Sequence, residues 1–246
     1  MRLYAFYTPS HEILKNEWFL PSLKDDYELK IEKYDQECPT GNYKKQGWVR
    51  AMLRKAEIIV HAIKDNCDGM FIYSDVDIQF FKPTQDLSCQ LMKRKDLALQ
   101  RDSPEGGLCA GFFICRANWK TLKLWEDICR FLAKSDNRDD QDVLNDFLLT
   151  SRIVPRMLNR LVEVFDKNKQ WAIHCRPHFS NSYGIKWRYL PMEFFGGGTL
   201  TGKQWTPGTS LVIPRNIVLH HANWTVGLEN KIAQLQYVRN IAMKHN

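Results

Sequence analysis

Two carboxylates interrupt an otherwise apolar run at residues 69–81, GMFIYSDVDIQFF. Asp75 and Asp77 stand one residue apart, and on an extended chain such residues share one side. Like charges that close repel and disturb each other's protonation. A divalent cation relieves this, since Mg²⁺ and Mn²⁺ take oxygen ligands and commonly sit on one or two carboxylates plus phosphate oxygens. The Asp-x-Asp spacing alone is weak, because about one is expected by chance in a chain of this composition. A second occurs at Asp140 and Asp142, in DDQDVLN. Those acids fall in the first turn of a predicted helix, where negative charge complements the macrodipole. The first pair is different: the sequence turns apolar again at once, so these acids break into a core instead of decorating a loop.

The elements that must position the pair can be read on either side of it. RLYAFYT (2–8), ended by Pro9, predicts a buried strand, and YELKIEKY (27–34) alternates as a second. KKQGWVRAMLRKAEIIVHAIKDN (44–66) carries Val49, Met52, Leu53, Ala56, Ile59, Val60 and Ile63 at helical spacing and ends in an NCDG stop. MFIY then reads as a buried strand with Asp75 at its carboxyl end. Further strands are predicted at 96–100, 107–116 and 161–165, with a final strand and loop at 216–224. Helices are predicted at 118–135, capped by Asn118, at 139–150 and at 228–244. Strands alternating with helices predict an α/β fold: a mostly parallel sheet with helices on both faces, binding ligands at the carboxyl ends of its strands.

The composition excludes little. The chain has 246 residues, 44% apolar and 26% charged, and a net charge of +7 with no basic block. That argues against a nucleic-acid face. Its seven cysteines include no CxxC and read as reduced thiols. HCRPH (174–178) spaces two histidines as a helical metal pair would, but Pro177 argues against a helix there. No apolar run approaches the roughly 20 residues of a membrane span, and no signal segment precedes the first strand, so the expectation is a soluble cytoplasmic protein.

YSDVDIQFF resembles the Asp-x-Asp segment of nucleotide-diphospho-sugar transferases of the GT-A fold, the group that includes plant arabinosyl- and xylosyltransferases and is related to the glycogenin-like galactosyltransferases. The resemblance continues in order through most of the chain. YAFYT is similar to the family's first nucleotide-binding strand, and GWVRAMLRKAEIIVHAI to the helix before Asp-x-Asp, with Lys55. CAGFFICRAN, DDQDVLN, LPMEFFGGG and HHANW…G…K resemble the later motifs.

The resemblance implies a single GT-A domain over 1–246, with a nucleotide-sugar half at 1–115 and a mainly acceptor-side half at 116–246. It implies a metal-dependent hexosyl- or pentosyltransferase moving a sugar from a UDP-sugar to a glycan acceptor with retention of configuration. Asp75, Asp77 and His221 would hold Mn²⁺ or Mg²⁺, with His220 as the alternative histidine. Gly227 and Lys231 would contact phosphate and Thr8 the base. Ala110 and Gly111 would set backbone against the sugar, and Arg50, Lys55 or Arg101 would meet it. Asp140 and Gln141 would act at the anomeric carbon. The glycine- and aromatic-rich stretch 193–205 reads as a mobile acceptor-side loop. Plant and animal relatives usually carry a membrane anchor, so the expectation for a chain without one is a bacterial or virus-encoded enzyme. A nucleotidyltransferase on a similar sheet, or a non-enzymatic basic binding module, are the competing readings.

Overall fold

The computed structural model describes residues 1–39, 41–149 and 181–244; the strand predicted at 161–165 and the HCRPH segment lie outside these. Six strands form the main sheet, in the order β2 (Glu28–Lys33), β1 (Arg2–Tyr7), β3 (Met70–Ser74), β6 (Gly106–Arg116), β5 (Leu97–Ser103) and β7 (Trp187–Tyr189). All run the same way except β6, which is antiparallel to both β3 and β5. The mostly parallel α/β fold expected from the sequence is therefore observed.

Strand alternation sorts the core into two layers. Tyr4, Phe71, Tyr73, Leu97, Leu99, Phe113 and Cys115 face α2 (Trp48–Asp65), α4 (Trp119–Leu132) and α5 (Asp140–Leu149). Their neighbours Leu3, Ala5, Ile72, Ala98, Phe112 and Ile114 face the opposite layer. The apolar stripe read in α2 is buried as Met52, Ala56, Ile59, Val60 and Ile63. Gly47, at φ 82°, begins this helix, and a Cβ there would sit 2.0 Å from the Glu37 carbonyl oxygen. Asn118 caps α4 by accepting from the Lys120 and Thr121 amides, as its sequence predicts.

The second face carries helix as well, as expected, together with a second, smaller sheet. It is covered by a π-helical segment (Leu14–Phe19) running into α1 (Leu20–Ser22), and by a second sheet of β4 (Ile78–Phe80), β9 (Leu219–His221) and β8 (Phe194–Gly196). Each of these strands is three residues long, too short to print a period on the sequence. Helix α3 (Gln85–Leu91) follows β4, α6 (Gly197–Thr201) follows β8, and α7 (Leu228–Lys244) closes the chain. The stretch 193–205, read as a loop, thus forms β8 and α6, and three of its glycines, 196 to 198, are packing positions. A Cβ at Gly196 would lie 2.4 Å from Asn223 Oδ1, and one at Gly198 would lie 2.3 Å from the Trp224 ring.

No helix among the described residues is long and apolar enough to cross a membrane. The six cysteines among them are all free thiols.

Candidate functional site: a carboxylate and histidine cluster in a cleft

The chain leaves the main sheet at Ser74, bends at Val76 and Asp77, and enters the second sheet at Ile78. Asp75 and Asp77 flank this crossing. Extended geometry was the reason given above for the two carboxylates facing together, and the structure corrects it: the bend brings them together. The Asp75 amide is fixed by the Gly111 carbonyl at 2.7 Å, and the Asp77 carbonyl accepts from the Ala222 amide at 2.9 Å. That second bond draws in the far end of the chain. Antiparallel pairing of Ile78 with His221 completes the arrangement, and the ligand atoms of Asp75, Asp77 and His221 all lie within 4.8 Å of one another.

A widened stretch of β6 makes room for them. Leu99 pairs with Phe113, but the next residue, Gln100, pairs with Cys109, leaving 110–112 outside this ladder. Such bulges re-aim backbone beside functional sites. Gly111 sits in this bulge, where a Cβ would come within 2.2 Å of His221 Cε1 and 2.9 Å of Asp75 Oδ2. The close approach that a strand glycine suggests is therefore made by the cluster itself.

Each carboxylate has an internal cation. Lys55 Nζ lies 3.2 Å from Asp75 Oδ1 and 3.1 Å from Asp140 Oδ2. Burial opposes the Lys55 charge, but Asp140 and Asp75 outweigh it and hold the ammonium above its usual range. Burial pushes the Asp140 carboxyl up to about 6, with Lys55 pulling the other way. Tyr73 Oη donates to Asp75 Oδ1 at 3.0 Å. Asp77 receives the Lys231 ammonium and, at 3.2 Å, His221 Nε2. Against its burial, these two cations hold it well below the usual carboxylate range. His221 is likewise raised to about 10, because Asp77 overcomes the cost of burial. His220 points the other way, into the core against Phe195, with Nδ1 3.2 Å from Gln79 Nε2. Of the two histidines, His221 is the one beside Asp75 and Asp77.

The donor set of two carboxylates and an imidazole fits a hard to borderline divalent ion such as Mn²⁺ or Mg²⁺. It lies in a cavity of about 470 Å³, also lined by Thr8, Lys55, Gly111, Asp140, Gln141 and Lys231. Ala110 and Gly227 are not among the lining residues. The Ala110 amide donates to Gln141 Oε1 at 3.1 Å, and that of Gly227 to Asn42 Oδ1 at 3.1 Å. Arg101 stacks over Tyr189, 4.5 Å from the ring centre, and Arg50 is exposed near Glu37.

Sequence reading missed several lining residues, among them His11, Gln36, Asn42, Asp102 and Trp224. Burial raises the Asp102 carboxyl, whose Oδ1 accepts from Trp224 Nε1 at 2.9 Å. A signal for Asp102 existed: it lies near the carboxyl end of β5, which runs parallel to β3 and so ends at the same edge of the sheet. The loop residues carry no periodic signal.

A family model for nucleotide-diphospho-sugar transferases matches residues 19–235. Among solved structures, the chain is similar to galactosyltransferase LgtC in complex with donor and acceptor sugar analogs, at 11% identity and a TM-score of 0.42, covering 99% of this chain and 96% of that one. It is also similar to an active-site mutant of LgtC, at 12% identity and a TM-score of 0.44, covering 90% of this chain and 86% of that one. A search of curated proteins finds no match.

Proposed function

The chain belongs to the nucleotide-diphospho-sugar transferase family and is a glycosyltransferase; from that premise we propose that it moves a sugar from a UDP-sugar to a glycan acceptor, dependent on Mn²⁺ or Mg²⁺ and with retention of configuration. The observation that carries this reading is the convergence of Asp75, Asp77 and His221 in a cleft shared with Lys231, Asp140 and Gln141.

Asp75, Asp77 and His221 would hold the ion, which when bound supplies positive charge to the diphosphate. The remaining roles belong to the chain. Breaking the sugar–phosphate bond builds negative charge on the leaving diphosphate, and Lys231 at the cavity wall stabilises that charge most in the transition state. Asp140, fixed by Lys55, would accept from sugar hydroxyls. Gln141 Oε1 has one lone pair on the Ala110 amide and another to offer an electron-poor anomeric carbon. Thr8, just past the carboxyl end of β1, lines the cleft and would bond the base. Retention predicts a product with the donor's anomeric configuration, read by NMR of the product. An inverted product would reassign the chemistry to a carboxylate base, with Asp102 the first candidate.

Thermal unfolding with UDP, GDP or neither, each in Mn²⁺ or EDTA, tests the donor site. A ligand at about 100 times its Kd adds roughly 2.7 kcal/mol and raises the midpoint by about 5–10 °C at this length. The expected result is a shift with UDP that requires Mn²⁺ and vanishes in Asp77→Asn. No shift with either nucleotide would sink the reading.

A further inference from the structure

We propose that Gln100 is the positioning residue that fixes the tautomer and aim of His221, presenting the Nε2 lone pair to the ion. This rests on the metal reading above. Gln100 is fully buried. Its Nε2 donates to the Phe194 carbonyl at 3.2 Å, and its Oε1 lies 3.2 Å from His221 Nδ1. A carbonyl can only accept, so the amide nitrogen must face Phe194 and the amide oxygen must face the histidine. Nδ1 therefore carries the proton and donates it to Gln100. Nε2, which shares its proton with Asp77 Oδ1 at 3.2 Å in the ion-free cluster, is then the nitrogen whose lone pair a bound ion would take in that proton's place.

The placement depends on the bulge. Gln100 follows the register break, at the point where β5 stops pairing with Phe113 and pairs with Cys109. Its side chain links β5 of the main sheet to β8 and β9 of the second sheet, through Phe194 and His221. Among the described residues, the only other hydrogen-bond partner of His221 Nδ1 is the Cys109 thiol at 3.6 Å, a weak one. Burying an amide away from water is unfavourable unless both of its ends are bonded, and here both are. A neutral acceptor also orients the ring without adding charge beside Asp75 and Asp77. Groups that bond the second nitrogen of a ligating histidine commonly set its orientation and affinity.

The test is Mn²⁺ affinity of the nucleotide-free protein, from the EPR signal of free Mn²⁺, with melting in EDTA run alongside. Gln100→Leu removes the acceptor and should weaken Mn²⁺ binding by about 10–100-fold. Gln100→Glu keeps an acceptor at Nδ1 while losing the Phe194 bond, and should stay within about threefold of the parent. If the leucine variant binds like the parent, or both variants weaken alike, the proposal is overturned and Gln100 is packing. A parent that binds no more Mn²⁺ than His221→Ala would instead overturn the metal reading, and this proposal with it. A second measurement needs no variant: in ¹⁵N-labelled, Mg²⁺-saturated protein, ring correlations should place the His221 proton on Nδ1. A proton on Nε2 would overturn the assignment.

Discussion

The two Asp-x-Asp pairs have the same spacing and opposite fates. Asp75 and Asp77 converge on one cluster with His221. Asp140 and Asp142 part company: Asp140 is buried against Lys55, while Asp142 stays out of that core at the cavity wall, 3.7 Å from Lys44 with about a third of its side chain exposed. The cause is the backbone between them. Residues two apart on a helix point about 200° apart, so only one of a pair in α5 can face inward. A bend between two sheets has no such rule, and the bonds to Gly111 and Ala222 decide where each carboxylate points. Equal spacing therefore predicts equal chemistry only when the local period is known.

The largest effect should come from the residue that joins the two pairs. Lys55→Met would leave the Asp75 and Asp140 carboxylates without their shared cation. Removing one partner of a buried pair costs about 3–5 kcal/mol. Urea unfolding in EDTA should show that loss, with much of it restored in Lys55→Met/Asp140→Asn. A loss that the second change does not relieve would mean that Lys55 acts mainly through Asp75.

Next is the first pair itself. Asp77→Asn removes one proposed ligand and the partner of both His221 and Lys231. Transfer from a UDP-sugar should fall by a hundredfold or more, roughly 3 kcal/mol of barrier. A fall of less than tenfold would remove Asp77 from the chemistry and leave the cluster a structural knot.

Asp140 can be separated from its neighbour by pH. Burial raises its folded pKa from 3.8 to about 6, so between those values the folded state keeps a proton that the unfolded chain has released. Its contribution to stability is present below about pH 4 and lost as pH rises through 6. The stability difference between the parent and Asp140→Asn should therefore move against the parent over that window, by on the order of 2–3 kcal/mol. A flat difference would mean that Asp140 ionises like a surface acid.

Much of this architecture was legible because long elements print their period. α2, β3, β6 and α4 are long enough for helical or strand spacing to show, and they carry Lys55, Asp75 and Gly111 to the edge of the sheet. The register slip between Leu99 and Gln100, the turn at Val76 and the three-residue strands left no such trace. They depend on pairing between distant segments, as in β4 with β9. His221 could be nominated only through the resemblance, since one histidine near a strand end says nothing of its partners. Gln100 and Asp102 lay in plain view within a predicted strand or just beyond it, and only the direction of that strand gives them meaning.

The smallest effect makes the sharpest control. Asp142→Asn removes a carboxylate whose only ion-pair partner among the described residues is Lys44, a half-exposed lysine. Exposed pairs are worth about 0–1 kcal/mol, and the acid's benefit to the α5 macrodipole is about 0.3–1 kcal/mol. The variant should melt within a few degrees of the parent, bind Mn²⁺ unchanged, and transfer sugar within about threefold, since no step proposed here needs its charge. Asp142 does line the cavity, so a larger loss would have one meaning. A rise in acceptor KM with kcat and Mn²⁺ affinity intact would place Asp142 on the acceptor, because loss of uniform binding raises KM alone. The two pairs would then divide the reaction between them, the bend serving the donor and the helix turn serving the acceptor.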